Sequence, residues 1–230
     1  MRARSAYFVT VGVFVLASSW PLQAADPGTY REFRLGTRTG DVVAQAGAAP
    51  ADVKTLHTRP ALLEELSWRP RYTSGDDSTD DDSVAAIVFS FVDDQLFKMA
   101  IEYDKSRTEG WTNSDMIGFL TAVYGPRSTA SVAKPSQSAV ESLGSPTVLA
   151  EWRLGDTAIT LQHSSYDRRF GLVILSVPLD ARARKAEAAA LTMDAREAPA
   201  REAARAQAAA EAEKAAAEKT RTANKAAFKP

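Results

Sequence analysis

The chain has 230 residues, 28 Lys+Arg against 29 Asp+Glu, two His and no Cys. With 12 Gly and 11 Pro it is not collagen-like. The lack of Cys excludes disulfides, thiol nucleophiles, Cys-bound zinc and iron–sulfur clusters, and a single long apolar run excludes a multi-span membrane protein.

Residues 1–25 read as a secretory signal peptide. Arg2 and Arg4 form a positive start, Ala6–Ser19 is a 14-residue run without charge, and Pro21 and Ala24–Ala25 supply a small-residue cleavage site. The run is shorter than the ~20 residues that cross a bilayer. No Cys follows it, so lipid attachment through Cys is excluded. Export to a periplasm, or secretion, is the expectation.

Residues 26–108 read as a first unit. It opens at Tyr30 (YREFRLG). Thr39 is a candidate cap for a short helix with Val42, Val43 and Ala46 as its stripe and Gly47 as its stop. Pro50 and Asp52 suggest a second short helix carried by Val53 and Leu56. A strand follows at about Leu62–Arg69. Val84–Val92 and Leu96–Asp104 alternate in polarity across an Asp93–Asp94 turn, the mark of a hairpin.

Residues 109–180 repeat that order. Thr112 and Asp115 form a capping-box start, Met116, Ile117, Leu120, Val123 and Tyr124 form a helical stripe, and Gly125–Pro126 ends it. Strands are expected at Val148–Leu154, Ala158–Ser164 and Phe170–Val177, the last apolar on both faces and therefore central. The first strands of the two units share a Trp-Arg step, Trp68–Arg69 and Trp152–Arg153. The fold class expected is α+β: two tandem helix–β–β–β units with antiparallel sheets, followed by a long Ala-rich C-terminal helix.

Residues 181–230 hold 22 Ala and a net charge of +4, which leaves residues 26–180 at −7. The composition favours helix. A first helix is predicted from about Leu179 to Glu197, a break or kink at Pro199, and a second helix from about Ala200 to Asn224, with no Leu-type coiled-coil seam and partial disorder. Pairs such as Glu197–Arg201, Glu202–Arg205, Glu211–Lys214 and Glu218–Arg221 suit a solvated helix.

The order helix–β–β–β with a helix closing on Y-G-P (Tyr124–Pro126) resembles small bacterial envelope domains of the outer-membrane-assembly lipoprotein type and the tandem β-lactamase-inhibitor-protein type. YREFRLG (Tyr30–Gly36), RPALLEELSW (Arg59–Trp68) and YDKSRTEGWTNSDM (Tyr103–Met116) resemble an uncharacterised family of exported bacterial proteins, over roughly residues 30–200. The resemblance implies protein binding or scaffolding rather than catalysis. The chain departs from it in lacking the lipidation Cys and the disulfides.

Candidate chemistry is sparse. His57 and His163 are too far apart for a helical two-His zinc motif. Ser131–Lys134 matches S-x-x-K, but S-D-N and K-T-G are absent. Asp76, Asp77, Asp80, Asp81 and Asp82 form an acidic loop without EF-hand spacing. No catalytic residue, metal ligand or cofactor is assigned. The binding candidates are Trp68, Arg69, Trp152 and Arg153, because Trp and Arg dominate interface hot spots; the competing role for both Trp is core filling beneath the helices. The function expected is an exported, non-enzymatic protein-binding or scaffolding protein of the bacterial envelope. The alternatives are a hydrolase acting on envelope material and a structural spacer working through the tail. The expected partner is another envelope protein, with no nucleic acid and no transmembrane span after signal cleavage; the basic tail is a candidate contact for anionic envelope polymers.

Overall fold

The computed structural model of the chain describes residues 26–70, 82–128, 146–164, 168–227 and 229. The signal segment, Asp76–Asp81 and Ser131–Lys134 lie outside the described residues. The fold is α+β. A hairpin of β1 (Thr29–Tyr30) and β2 (Phe33–Arg34) precedes α1 (Thr39–Gln45), β3 (Val53–His57), β4 (Leu63–Trp68), β5 (Val84–Val92) and β6 (Gln95–Tyr103). Then come α2 (Asn113–Tyr124), β7 (Thr147–Leu154), β8 (Thr157–His163), β9 (Phe170–Ser176) and α3 (Val177–Ala227).

Strands β3 to β9 form one antiparallel seven-stranded sheet in the order β3-β4-β5-β6-β9-β8-β7. The centre is the β6–β9 pairing, in register from Lys98↔Leu175 to Glu102↔Gly171. The doubly apolar β9 is central, as its sequence requires, and all but its last residue are buried.

Strand periodicity divides the core between the two faces. One face carries Leu66, Ile87, Phe89, Met99, Ile101, Leu172, Ile174, Ile159 and Trp152, packed beneath Val42 and Val43 of α1, Met116 and Leu120 of α2, and Phe33 of the hairpin. The other face carries Leu63, Val92 and Phe97 beneath Ala183 and Ala186 of α3. Lys98, Ser90 and Asp180 are also buried. Burial holds the Lys98 ammonium below its ordinary range, against the opposing pull of Glu65, Asp180 and Glu187.

Three local expectations change. The segment after Pro50 is a short 3-10 turn, Pro50–Asp52, followed by strand β3 rather than a second helix. Val53 and Leu56 are three residues apart, which puts them on opposite faces of a strand: Val53 packs with the α1/α2 side and Leu56 with the α3 side. Pairing with the open edge of β4 decides between the two conformations.

Thr39 is the first residue inside α1, and Arg38 is the N-cap without a side-chain cap of its own. The capping carboxylate comes from the β5–β6 turn, where Asp94 Oδ1 accepts the Thr39 amide at 3.1 Å and Oδ2 accepts Arg38 Nε at 2.8 Å. Asp93 and Asp94 both have positive φ, 45° and 65°, the conformation of a tight hairpin turn.

The tail is one helix of 51 residues, about 76 Å long, that runs through Pro199 without a break. Pro199 removes one backbone donor. Nearby, the Arg201 guanidinium donates to the Asp194 carbonyl at 3.0 Å and to its carboxylate at 3.2 Å. Arg201 therefore pairs backward to Asp194 instead of Glu197, which instead binds Arg59 across the fold at 3.1 Å. Of the expected tail pairs, Glu218–Arg221 is formed at 3.2 Å.

Candidate functional site

The two Trp-Arg steps are placed by the sheet. Trp152 is fully buried, and its indole N–H donates to the Gly125 carbonyl at the end of α2, 3.0 Å away. Trp68 is half-buried; its indole N–H donates to the Ala46 carbonyl at the end of α1, 2.9 Å away, with its ring edge-on to Phe33. Arg69 and Arg153 are exposed. Arg153 follows Trp152 on one strand, so it faces away from it. The four residues do not converge on one open surface.

An open cleft lies elsewhere. A cleft of about 940 Å³ lies where the β6–α2 connection meets the ends of β8 and β9. Its lining includes Asp104, Trp111, Asn113, His163, Arg168 and Phe170. The connection is built by local bonds. Asp104 Oδ1 accepts the Ser106 amide at 2.8 Å and the Ser106 hydroxyl at 2.5 Å, and the Thr108 hydroxyl donates to the Asp104 carbonyl at 3.0 Å. These Ser106 bonds hold the Asp104 carboxyl below its ordinary range. Gly110 takes the left-handed turn at φ +82°, and Thr112 and Asp115 then start α2 with a reciprocal capping box. Bonds from Thr112 likewise lower the Asp115 carboxyl.

This geometry presents Trp111. The residue is 42% exposed, and its ring meets that of Phe119, a residue 56% exposed, in a T-shaped contact at a centroid distance of 6.0 Å. Opposite, His163 is half-buried with its ring 5.8 Å from Phe170. Among the described residues the ionisable lining is balanced: Asp104 and Glu109 against Lys105 and Arg168, with His163.

Among the described residues, no group of three or more His, Asp or Glu is placed to hold a metal ion, and no helix is long and apolar enough to cross a membrane. Asp82, the described end of the acidic loop, binds the Arg31 guanidinium through both carboxylate oxygens.

The sequence alone does not join Trp111 to His163. One usable signal was the nine-residue span from Asp104 to Thr112, long for a connection and carrying an indole amid turn residues. Comparison with protein-family models, curated proteins and solved structures finds no match to this chain.

Proposed function

We propose that this is an exported, non-enzymatic protein of the bacterial envelope that acts by binding or scaffolding, with the 104–113 cleft as its contact surface. The supporting observation is exposed Trp111, which lines an open cleft and meets the exposed Phe119 in a T-shaped contact. Large aromatic groups left in water on a folded body mark contact sites. Export rests on the signal-like residues 1–25.

The hydrolase alternative needs an acid whose proton is retained near neutral pH. The shifted carboxyl in the cleft, Asp104, moves the other way and does not supply that acid. The spacer reading draws support from α3, whose described residues from Pro199 onward are all exposed. Its basic end is a contact for anionic envelope polymers in this reading.

The tandem construction belongs to the same proposal. The strand order places β4-β5-β6 and β7-β8-β9 on either side of the β6–β9 pairing. Trp68 of β4, the second strand after α1, donates to the closing carbonyl of that helix at Ala46, and Trp152 of β7, the first strand after α2, donates to the closing carbonyl of that helix at Gly125. One helix–β–β–β unit used twice explains both bonds with one device.

Fractionation of intact cells, with a photo-reactive residue at Phe119, tests the reading. The expected result is an extracytoplasmic protein that forms one discrete adduct, lost in Trp111→Ala. A cytoplasmic protein, or an adduct indifferent to Trp111, overturns it.

A further inference from the structure

We infer that the 104–113 cleft is a saccharide-binding site for a neutral oligosaccharide chain. This goes beyond the binding reading above by naming the ligand, and relies on that reading only for where such a chain is met.

Three features select this chemistry. First, the indole of Trp111 lines the cleft, belongs to a residue 42% exposed, and is held in T-shaped contact with Phe119. A ring held in this way offers a flat apolar platform, and the C–H face of a sugar ring covers such a platform without losing its hydroxyls to a dry pocket. Second, the rest of the lining mixes donors and acceptors: Asp104, Ser106, Thr112, Asn113, His163 and Arg168. Sugar hydroxyls both donate and accept, so they match a mixed wall better than a purely cationic or anionic ligand does.

Third, charge does not favour an ion. Among the described residues, two carboxylates and two cationic side chains line the cleft, and an anionic or cationic polymer would meet as much repulsion as attraction from them. The volume, about 940 Å³, lies at the upper end of small-ligand pockets and admits more than one ring. The Asp104 carboxylate is fixed by Ser106 before any ligand arrives. Its ionised state makes it an acceptor for sugar hydroxyls and not a proton donor to a glycosidic oxygen.

Titration of the purified full chain with chitotetraose, cellotetraose and maltotetraose tests this, read by Trp fluorescence and by backbone amide shifts of residues 104–113. At least one sugar is expected to saturate both signals, in a manner insensitive to added NaCl. Trp111→Ala is expected to weaken binding at least about tenfold, and Trp111→Phe to retain part of it. Asn113→Ala and Arg168→Ala provide surface variants, and thermal unfolding checks that each variant folds. A folded wild type that shifts with none of the three sugars at about 10 mM overturns the inference, as does undiminished binding by Trp111→Ala. Salt-suppressed binding of a hexa-aspartate peptide in place of every sugar also overturns it, in favour of an acidic protein segment. Because the titration uses purified protein, its outcome is independent of export, and a cytoplasmic location would overturn the earlier reading without touching this one.

Discussion

The indole N–H of Trp152 donates to the carbonyl of Gly125 at 3.0 Å, joining strand β7 to the residue that closes α2. Gly125 has φ +84°, so the chain leaves the helix there in a conformation that other residues rarely adopt. The bond satisfies a helix-end carbonyl under a buried ring. Trp152→Phe keeps most of the apolar contact and leaves that carbonyl without its indole donor, so a loss of about 1–3 kcal/mol is expected in urea unfolding. Trp68→Phe breaks the matching bond at a half-buried site and is expected to cost less.

Asp94 gives α1 its cap from 55 residues away. Asp94→Ala is expected to destabilise the fold by about 0.5–2 kcal/mol, the usual range for a lost cap. The pH dependence has a definite sign. The Arg38 bond, the leading cause, holds the folded Asp94 carboxyl below its ordinary value of 3.8. Its contribution is therefore present above that value and is lost as pH falls through the lower folded value. Acid unfolding curves of Asp94→Asn are expected to be flatter than wild type in this window; identical slopes would remove Asp94 from the account.

The contrast between Asp94 and Thr112 shows what was legible. Thr112 and Asp115 are three residues apart, and their capping box forms as the spacing predicts. The α1 cap comes from a distant hairpin turn, which no local pattern contains. Strands β5 and β6 were legible because polarity alternates along them, and β9 because it is apolar on both faces. Strand β3 was not, since Val53 and Leu56 fit helix and strand equally until β4 is placed beside them. A break at Pro199 does not occur: propensity penalises the lost donor there, yet the helix continues on both sides of it. The cleft was the least legible feature, because Trp111, His163 and Phe170 meet only once β6, β8 and β9 are neighbours.

Alkaline pH is expected to unfold the protein through its buried tyrosines. Burial pushes the Tyr124 hydroxyl from 10.0 up to about 12, and Tyr103 is raised well above the ordinary value for the same leading reason. In the unfolded chain both ionise near their ordinary value, whereas the folded protein retains the protons. Stability is therefore fully present below pH 10 and falls as pH rises toward about 12. Tyr124→Phe removes one of these groups, so its stability is expected to decline less steeply across that window in guanidinium titrations at stepped pH.

The far half of α3 is expected to be dispensable for folding, and the near half essential. All described residues from Pro199 onward are exposed, and the helix buries its Ala183, Ala186 and Ala190 stripe much earlier. A chain ending at Ala198 keeps that stripe and the exposed Arg59–Glu197 pair, and removes only solvated helix. Its melting temperature is expected to stay within about 2–4 °C of the full chain, the shift of roughly 1 kcal/mol in a domain this size. Ending the chain at Ser176 instead uncovers Leu63, Val92 and Phe97. It also exposes Lys98, whose surroundings include Asp180 and Glu187 of α3. An apolar sheet face left in water favours association, so this shorter chain is expected to aggregate or lose its cooperative transition. Differential scanning calorimetry of the two truncations separates the roles. If both melt like the full chain, α3 has no part in the core; if both collapse, the distal helix stabilises the body through contacts beyond its buried stripe.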